Sequence, residues 1–275
     1  MTRMISYSDK GTWIHKLSGF TKLLFFILWC TVSALTYDTR VLLLMILVGI
    51  YIFIASKTEW KQISSVFKAV MFFMILNLIF IYIFAPSQGT AIYGTRHVLL
   101  RLSGPYSLTR EQLFYEFNVM IKYFTVVPAA FIFLITTNPS EFAASLNGVG
   151  IPASISYSVA ITLRYIPNIQ DEYHKIRNAQ EARGIELSSK GKVKDRIRNT
   201  AAIIFPLLFT SMERIDTVSN AMELRGFGKK RKRTWYSRKA LSRNDILVLV
   251  FIIVFSVAAL VFTYYDGSRF YNPFH

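Results

Sequence analysis

Asn178-Ala179-Gln180-Glu181-Ala182-Arg183-Gly184 and Asn220-Ala221-Met222-Glu223-Leu224-Arg225-Gly226 lie 42 positions apart and agree at five of seven positions. Each closes a segment in which apolar residues recur every three or four positions. Ile166, Ile169, Tyr173, Ile176 and Ala179 form the stripe before the first stretch; Ile204, Leu208, Met212, Ile215, Val218 and Met222 form the stripe before the second. That spacing predicts two amphipathic helices, each with one buried face. An Arg followed at once by Gly suits a helix C-terminus, because Gly takes the left-handed conformation that ends the helix and Arg sits beside unpaired carbonyls. One such pair is ordinary surface capping. Repeated, it reads as two cation-tipped helix ends offered to a partner.

The first of these helices begins in the apolar run Ala153 to Leu163 and continues through Arg164, Asp171, Glu172 and Lys175. A polar linker, Ile185 to Lys194, leads to the second helix, about Asp195 to Arg225. A short amphipathic helix precedes both. It starts at Pro139 or Ser140, runs through Phe142 to Leu146 and is closed by Gly148-Val149-Gly150-Ile151-Pro152. The two long helices are too polar to cross lipid and too apolar on one side to stand alone in water. They are expected to pack on each other and on the short helix, as a layer under the membrane spans. From Arg164 to Arg243 there are 19 basic and 8 acidic residues, +11 of the chain's net +16, which places this region in the cytoplasm because basic loops resist translocation. The cluster Lys229 to Arg233, with Arg238, Lys239 and Arg243, stands just before an apolar run. It reads as an anchor against anionic lipid, and no nucleic-acid partner is expected.

The rest of the chain is membrane. At 275 residues, 53% hydrophobic and 15% aromatic, with apolar runs approaching twenty residues, the sequence belongs to the polytopic class. Five spans are expected: Phe20–Tyr37, Val41–Ser56, Ala69–Ala85, Val119–Thr137 and Ile246–Tyr265. Asp38-Thr39-Arg40 is a tight turn, and Lys57, Lys61 and Lys68 mark a cytoplasmic loop. Residues 86–116, broken by Gly89, Gly94, Gly104 and Pro105, read as an external loop. Pro128 lies in the middle of the fourth span, Lys122 near its outer end, and Asn77 is the strongly polar residue of the third, expected to hydrogen-bond between helices. The N-terminal tail, with Arg3, Asp9, Lys10, His15 and Lys16, is expected inside, and the short tail with Asp266, Arg269 and His275 outside. The fold class is therefore all-α: about five transmembrane helices in residues 1–137 and 244–275, and about three coupling helices in residues 138–243.

Several chemistries lack their residues. The stretch around Gly191-Lys192 has neither the upstream Gly nor the hydroxyl of a phosphate-cradling loop, so ATP hydrolysis by that route is excluded. His15, His97, His174 and His275 are scattered without metal-ligand spacing, and the lone Cys30 can form neither an intrachain disulfide nor a thiolate cluster. No paired carboxylates or Ser-His-Asp set sits at membrane depth. Apart from Lys122 the spans hold almost no ionisable groups, whereas ion-coupled carriers need them. The residues thus support no membrane enzyme and disfavour a self-sufficient carrier. The competing readings are a carrier or channel that works alone and a membrane-anchored assembly protein.

Particular residues carry a resemblance. His15-Lys16-Leu17 through Thr21-Lys22-Leu23, Asn138-Pro139-Ser140-Glu141-Phe142 with Gly150-Ile151-Pro152, Leu163-Arg164-Tyr165-Ile166-Pro167, and above all Glu181-Ala182-Arg183-Gly184 and Glu223-Leu224-Arg225-Gly226 resemble the transmembrane T component of energy-coupling factor (ECF) transporters, bacterial importers of vitamins and transition-metal ions. The resemblance covers nearly the whole chain. It implies a scaffold without cofactor of its own, joining two ATP-hydrolysing subunits, which bind the ATP, to a separate substrate-capture membrane subunit in the bacterial cell membrane. It also implies docking of the ATPases at Ala182, Arg183, Gly184, Leu224, Arg225 and Gly226, with Glu181, Glu223, Pro167 and Pro206 in support. The sequence departs from the family pattern at Leu224, where Ala is more usual. The cargo is not readable here, because the capture subunit selects it.

Overall fold

The computed structural model describes residues 11–101, 106–184, 193–227, 235, 239–265 and 267–274. Among them the chain runs α1 (Trp13–Lys16), α2 (Gly19–Leu35), α3 (Thr39–Ala55), α4 (Trp60–Phe84), α5 (Gln88–Tyr93), β1 (Val98–Arg101), β2 (Ser107–Thr109), α6 (Arg110–Thr136), α7 (Pro139–Gly148), α8 (Ala153–Ala182), α9 (Val193–Leu224) and α10 (Arg243–Tyr264). It divides into two compact units, residues 1–138 with 239–275, and residues 139–238. Of the terminal residues singled out in the sequence, Arg3, Asp9, Lys10, Asp266 and His275 lie outside the described residues.

In the first unit, α4, α6 and α10 are long and apolar enough to cross a membrane, while α2 and α3 are apolar helices of 17 residues each. At ~1.5 Å per residue, 17 residues fall a little short of a ~30 Å hydrocarbon layer, so a crossing by α2 or α3 would need flanking residues to complete it. The fold is an all-α polytopic membrane protein. α2 packs on α6 and α10, α3 packs on α6, and α4 leans chiefly on α6. Trp29, Val32, Val41, Met45, Ala129, Ile252 and Ala259 form the core where α2, α3, α6 and α10 meet, and Ile63 of α4 packs in a separate cluster with Phe131 and Ile135 of α6. On α10 the buried face is Ile252, Ser256, Ala259 and Thr263, while Leu247, Val250, Val254, Val257 and Val261 point outward. That outward face suits lipid, since apolar side chains there have no water to avoid.

Two polar knots fix the ends of this bundle. Asp245 forms a capping box with Ser242 at the start of α10, and its Oδ1 accepts the Ser18 backbone N–H, 2.8 Å away, where α2 begins. Glu111, fully buried in the first turn of α6, accepts hydrogen bonds from Thr95 Oγ1 (3.0 Å) and the His97 backbone N–H (3.0 Å). These contacts correct the sequence reading. Residues 86–116, expected as a loop, hold a six-residue helix and an antiparallel hairpin, β1 with β2. α6 starts at Arg110, not Val119, because Thr109 caps it by accepting from the Gln112 N–H at 3.2 Å and Glu111 and Gln112 find buried partners. α4 likewise starts at Trp60, so Lys61 and Lys68 lie on a helix rather than in a loop. Asn77 is half-buried and hydrogen-bonds to no other described side chain. The tail after α10 folds back: the Arg269 carbonyl accepts the Tyr37 N–H at 2.9 Å, and Asn272 Nδ2 donates to the Tyr93 carbonyl at 3.2 Å.

In the second unit α7 packs on α8, and α8 on α9. Pro167 and Pro206 both lie inside helices, each removing one backbone donor.

Candidate functional site

Both Arg-Gly stretches end helices as their residues require. At the end of α8, Arg183 is the C-cap, Gly184 has φ +83°, and its N–H donates to the Glu181 carbonyl at 3.0 Å. At the end of α9, Gly226 has φ +66° and donates to the Glu223 carbonyl at 2.8 Å, while the Phe227 N–H reaches the Met222 carbonyl at 2.9 Å. That nested pair is the Schellman arrangement, which closes a helix by satisfying two of its last carbonyls and needs a residue at ease with positive φ. In both copies the Arg stands one position before the Gly, at the negative end of the helix dipole.

Arg183 and Arg225 are exposed, and neither guanidinium forms an ion pair or hydrogen bond with a described residue. Ala182 is exposed beside the first, and Leu224, 89% exposed, projects beside the second. The two glutamates differ: Glu181 pairs with Arg177 one turn earlier at 2.9 Å, whereas Ser219 stands at the matching place before Glu223. The hydrogen bond to Glu181 holds the Arg177 guanidinium above its already high ordinary value.

α8 and α9 run antiparallel, which sends the two ends in opposite directions. Gln180 Nε2 donates to the Ala202 carbonyl at 3.1 Å, Glu172 pairs with Arg214, and the rings of Tyr157 and Phe227 lie 4.7 Å apart. From the Gln180 level to the Tyr157 level α8 advances about 35 Å, at ~1.5 Å per residue. The two exposed guanidinium groups are thus far apart, at opposite ends of one helix pair.

The apolar stripes are where the structure departs most from the periodicity. Their spacing predicts buried faces, yet Ile166, Ile169 and Tyr173 on α8 and Ile204, Leu208, Met212 and Ile215 on α9 are all exposed. A cleft of about 420 Å³ runs between the helices, lined by Tyr165, Ile169, Glu172, Arg214, Ile215 and Met222 among others. Nothing in the sequence marks out Glu172, Gln180, Arg214 or the Tyr157–Phe227 contact; the one available signal is the Gln-for-Met difference between the two stretches. The linker residues 185–192 and the basic residues Lys229 to Arg233 and Arg238 lie outside the described residues. Among the described residues, no group of three His, Cys, Asp or Glu side chains is placed to hold a metal ion.

Comparison with known proteins gives this arrangement a family. The model of the family described as CbiQ, cobalt transport protein, matches residues 10–236. A relative from Leuconostoc gelidum subsp. gasicomitatum, named energy-coupling factor transporter transmembrane protein EcfT, is 27% identical over 91% of this chain and 93% of its own. Proteins of the same name from Staphylococcus aureus and Exiguobacterium sibiricum are each 24% identical, over 94% and 88% of this chain and 96% and 91% of theirs. The chain therefore belongs to the CbiQ family, as a multi-pass membrane component of the energy-coupling factor type of transporter.

Proposed function

We propose that this chain is the non-catalytic scaffold of an importer, joining two cytoplasmic ATPase subunits to a membrane subunit that captures a vitamin or transition-metal ion. One observation carries the reading. Two exposed guanidinium groups without partners among the described residues stand at opposite ends of an antiparallel helix pair, about 35 Å apart along it. A single small partner would not span both; a pair of like subunits would. A guanidinium suits such a contact because its planar fork makes two parallel hydrogen bonds to a carboxylate. The helix end beside it presents backbone carbonyls, and the Gly after it leaves room for a partner to approach. Arg183 and Arg225 dock the ATPases, Ala182, Gly184, Leu224 and Gly226 complete the two contacts, and Glu181, Glu223, Pro167 and Pro206 shape the helices that bear them.

The exposed stripes and the cleft between α8 and α9 support a second contact, with the capture subunit, because they leave apolar surface that a membrane partner would cover. The net +11 from Arg164 to Arg243 supports placing this unit and the N-terminus in the cytoplasm, with the C-terminus outside. ATP is bound by the partner subunits, and no cofactor belongs to this chain.

The test is co-purification from membranes. The wild-type chain is expected to bring down ATPase subunits in stoichiometric amount. Arg183→Glu with Arg225→Glu inserts normally but loses them, each lost contact costing about 2 to 5 kcal/mol of association because a carboxylate on the partner is left unpaired. Retention of the ATPases by the double variant, or transport in liposomes by the chain alone, overturns the assignment.

A further inference from the structure

The contact between Gln180 and Ala202 is made at a particular place. Pro206 sits inside α9 and has no N–H, so the carbonyl four residues earlier, that of Ala202, loses its helical donor. Gln180 Nε2, from α8, donates to that same carbonyl at 3.1 Å. The proline thus opens an acceptor on one helix and the amide of the other fills it. Gln180 lies three residues before Arg183, and the corresponding residue of the second stretch is Met222, which cannot donate such a bond.

The Arg225 end is fastened by other means. Phe227, two residues past Arg225, lies 4.7 Å from the Tyr157 ring, and Trp235 lies 6.2 Å from the same ring while its Nε1 donates to Asn147 Oδ1 at 3.1 Å. Between the two ends, Glu172 pairs with Arg214, whose guanidinium also lies over Tyr165. Each arginine is therefore carried by a helix end tied across to the opposing helix.

We propose that Gln180 is a positioning residue that locks the Arg183 end of α8 to α9 at the Pro206 site, so that a displacement imposed on Arg183 by one ATPase moves α9 with it. This rests on the docking role assigned above to Arg183 and Arg225. Without the tie, α8 would pivot at its tip and motion would be absorbed locally. Coupling between the two ends needs an element that moves as a body, and a hydrogen bond to the Ala202 carbonyl serves because the proline supplies no N–H to compete for it.

The experiment uses the assembled complex in nanodiscs, with Cys30→Ser and spin labels at Asn178→Cys and Thr200→Cys, both exposed positions flanking the tie. Label separation is measured without nucleotide and with ATP and vanadate. In the otherwise wild-type complex one narrow distance, unchanged by nucleotide, is expected. Gln180→Met should broaden it, or let it shift by about 5 Å, one helical turn, on adding ATP and vanadate. Gln180→Met with Pro206→Ala separates positioning from mere stability, since the second substitution returns a helical donor to the Ala202 carbonyl without restoring the link to α8. The altered distance is expected to persist in that double variant. A distance that moves with nucleotide in the wild-type background overturns the proposal, as does a narrow, static distance in Gln180→Met or its restoration by Pro206→Ala. Failure of the wild-type chain to recruit ATPases is a different result, which overturns the docking reading itself.

Discussion

A methyl group on Gly89 would collide with the Glu111 carbonyl oxygen and lie 2.5 Å from the Gln112 nitrogen, so α5 can touch the first turn of α6 only through a residue with no side chain. The same glycine donates its N–H to Gln112 Oε1 at 2.8 Å. Gly89→Ala is expected to destabilise the chain by about 1 to 3 kcal/mol, since the clash is with backbone, and thermal unfolding in detergent measures it. In sequence Gly89 reads only as loop punctuation. Asp245 hides in the same way. A carboxylate at the head of an apolar run looks like a boundary, whereas its two oxygens hold Ser18 of the α2 cap and Ser242 of the α10 cap. Asp245→Ala should cost about 2 kcal/mol or more, because it removes a cap and orphans the Ser18 donor. A loss near zero in the same assay would mean that water replaces the carboxylate.

At the scale of elements, α5, the hairpin and the first turns of α6 form one polar and aromatic corner around Tyr93. Burial pushes the Tyr93 phenol up from its ordinary 10.0 to about 12, against a smaller opposing pull from its hydrogen bond with Asn118. A phenol that ionises less readily in the folded chain stabilises the fold below pH 10, and that contribution is lost as pH rises towards 12. Melting temperature should therefore fall more steeply above pH 10 in the wild type than in Tyr93→Phe, once the titration common to both is subtracted. Parallel curves would place the phenol in water. This corner is invisible in the sequence, since β1 is four residues and β2 three, too short for a period to show. The ends of α8 and α9, by contrast, are legible to the residue, because a glycine at positive φ after an amphipathic run has one simple structural use. Their stripes are legible as stripes but not as surface: periodicity reports that a face avoids water, not which chain covers it. The docking roles proposed for Arg183 and Arg225 rest on resemblance, and no periodicity could supply Gln180, whose proposed role depends on a proline 26 residues away.

Within residues 139–238 two kinds of surface are separate, so the two partner contacts proposed above would be independently removable. The guanidinium tips sit at the ends of the helix pair, whereas the apolar stripes and the cleft run along its length. If the tips bind ATPases and the length binds the capture subunit, each set of substitutions should remove one partner and spare the other. Ile169→Glu with Ile215→Glu places two charges on the cleft at positions already exposed in the chain alone, so folding should be nearly unaffected, within about 0.5 kcal/mol. Burying those charges under an apolar partner face would be prohibitive. The expected outcome in pull-downs from membranes co-expressing all subunits is retention of both ATPases with loss of the capture subunit. Arg183→Glu with Arg225→Glu should give the opposite pattern. A cleft variant that loses every partner would instead mean that the ATPases reach along the helices, and one that loses none would mean that the stripes face lipid. The second of these results would leave the tips as the docking surface of this unit and would require the capture subunit to bind residues 1–138 and 239–275.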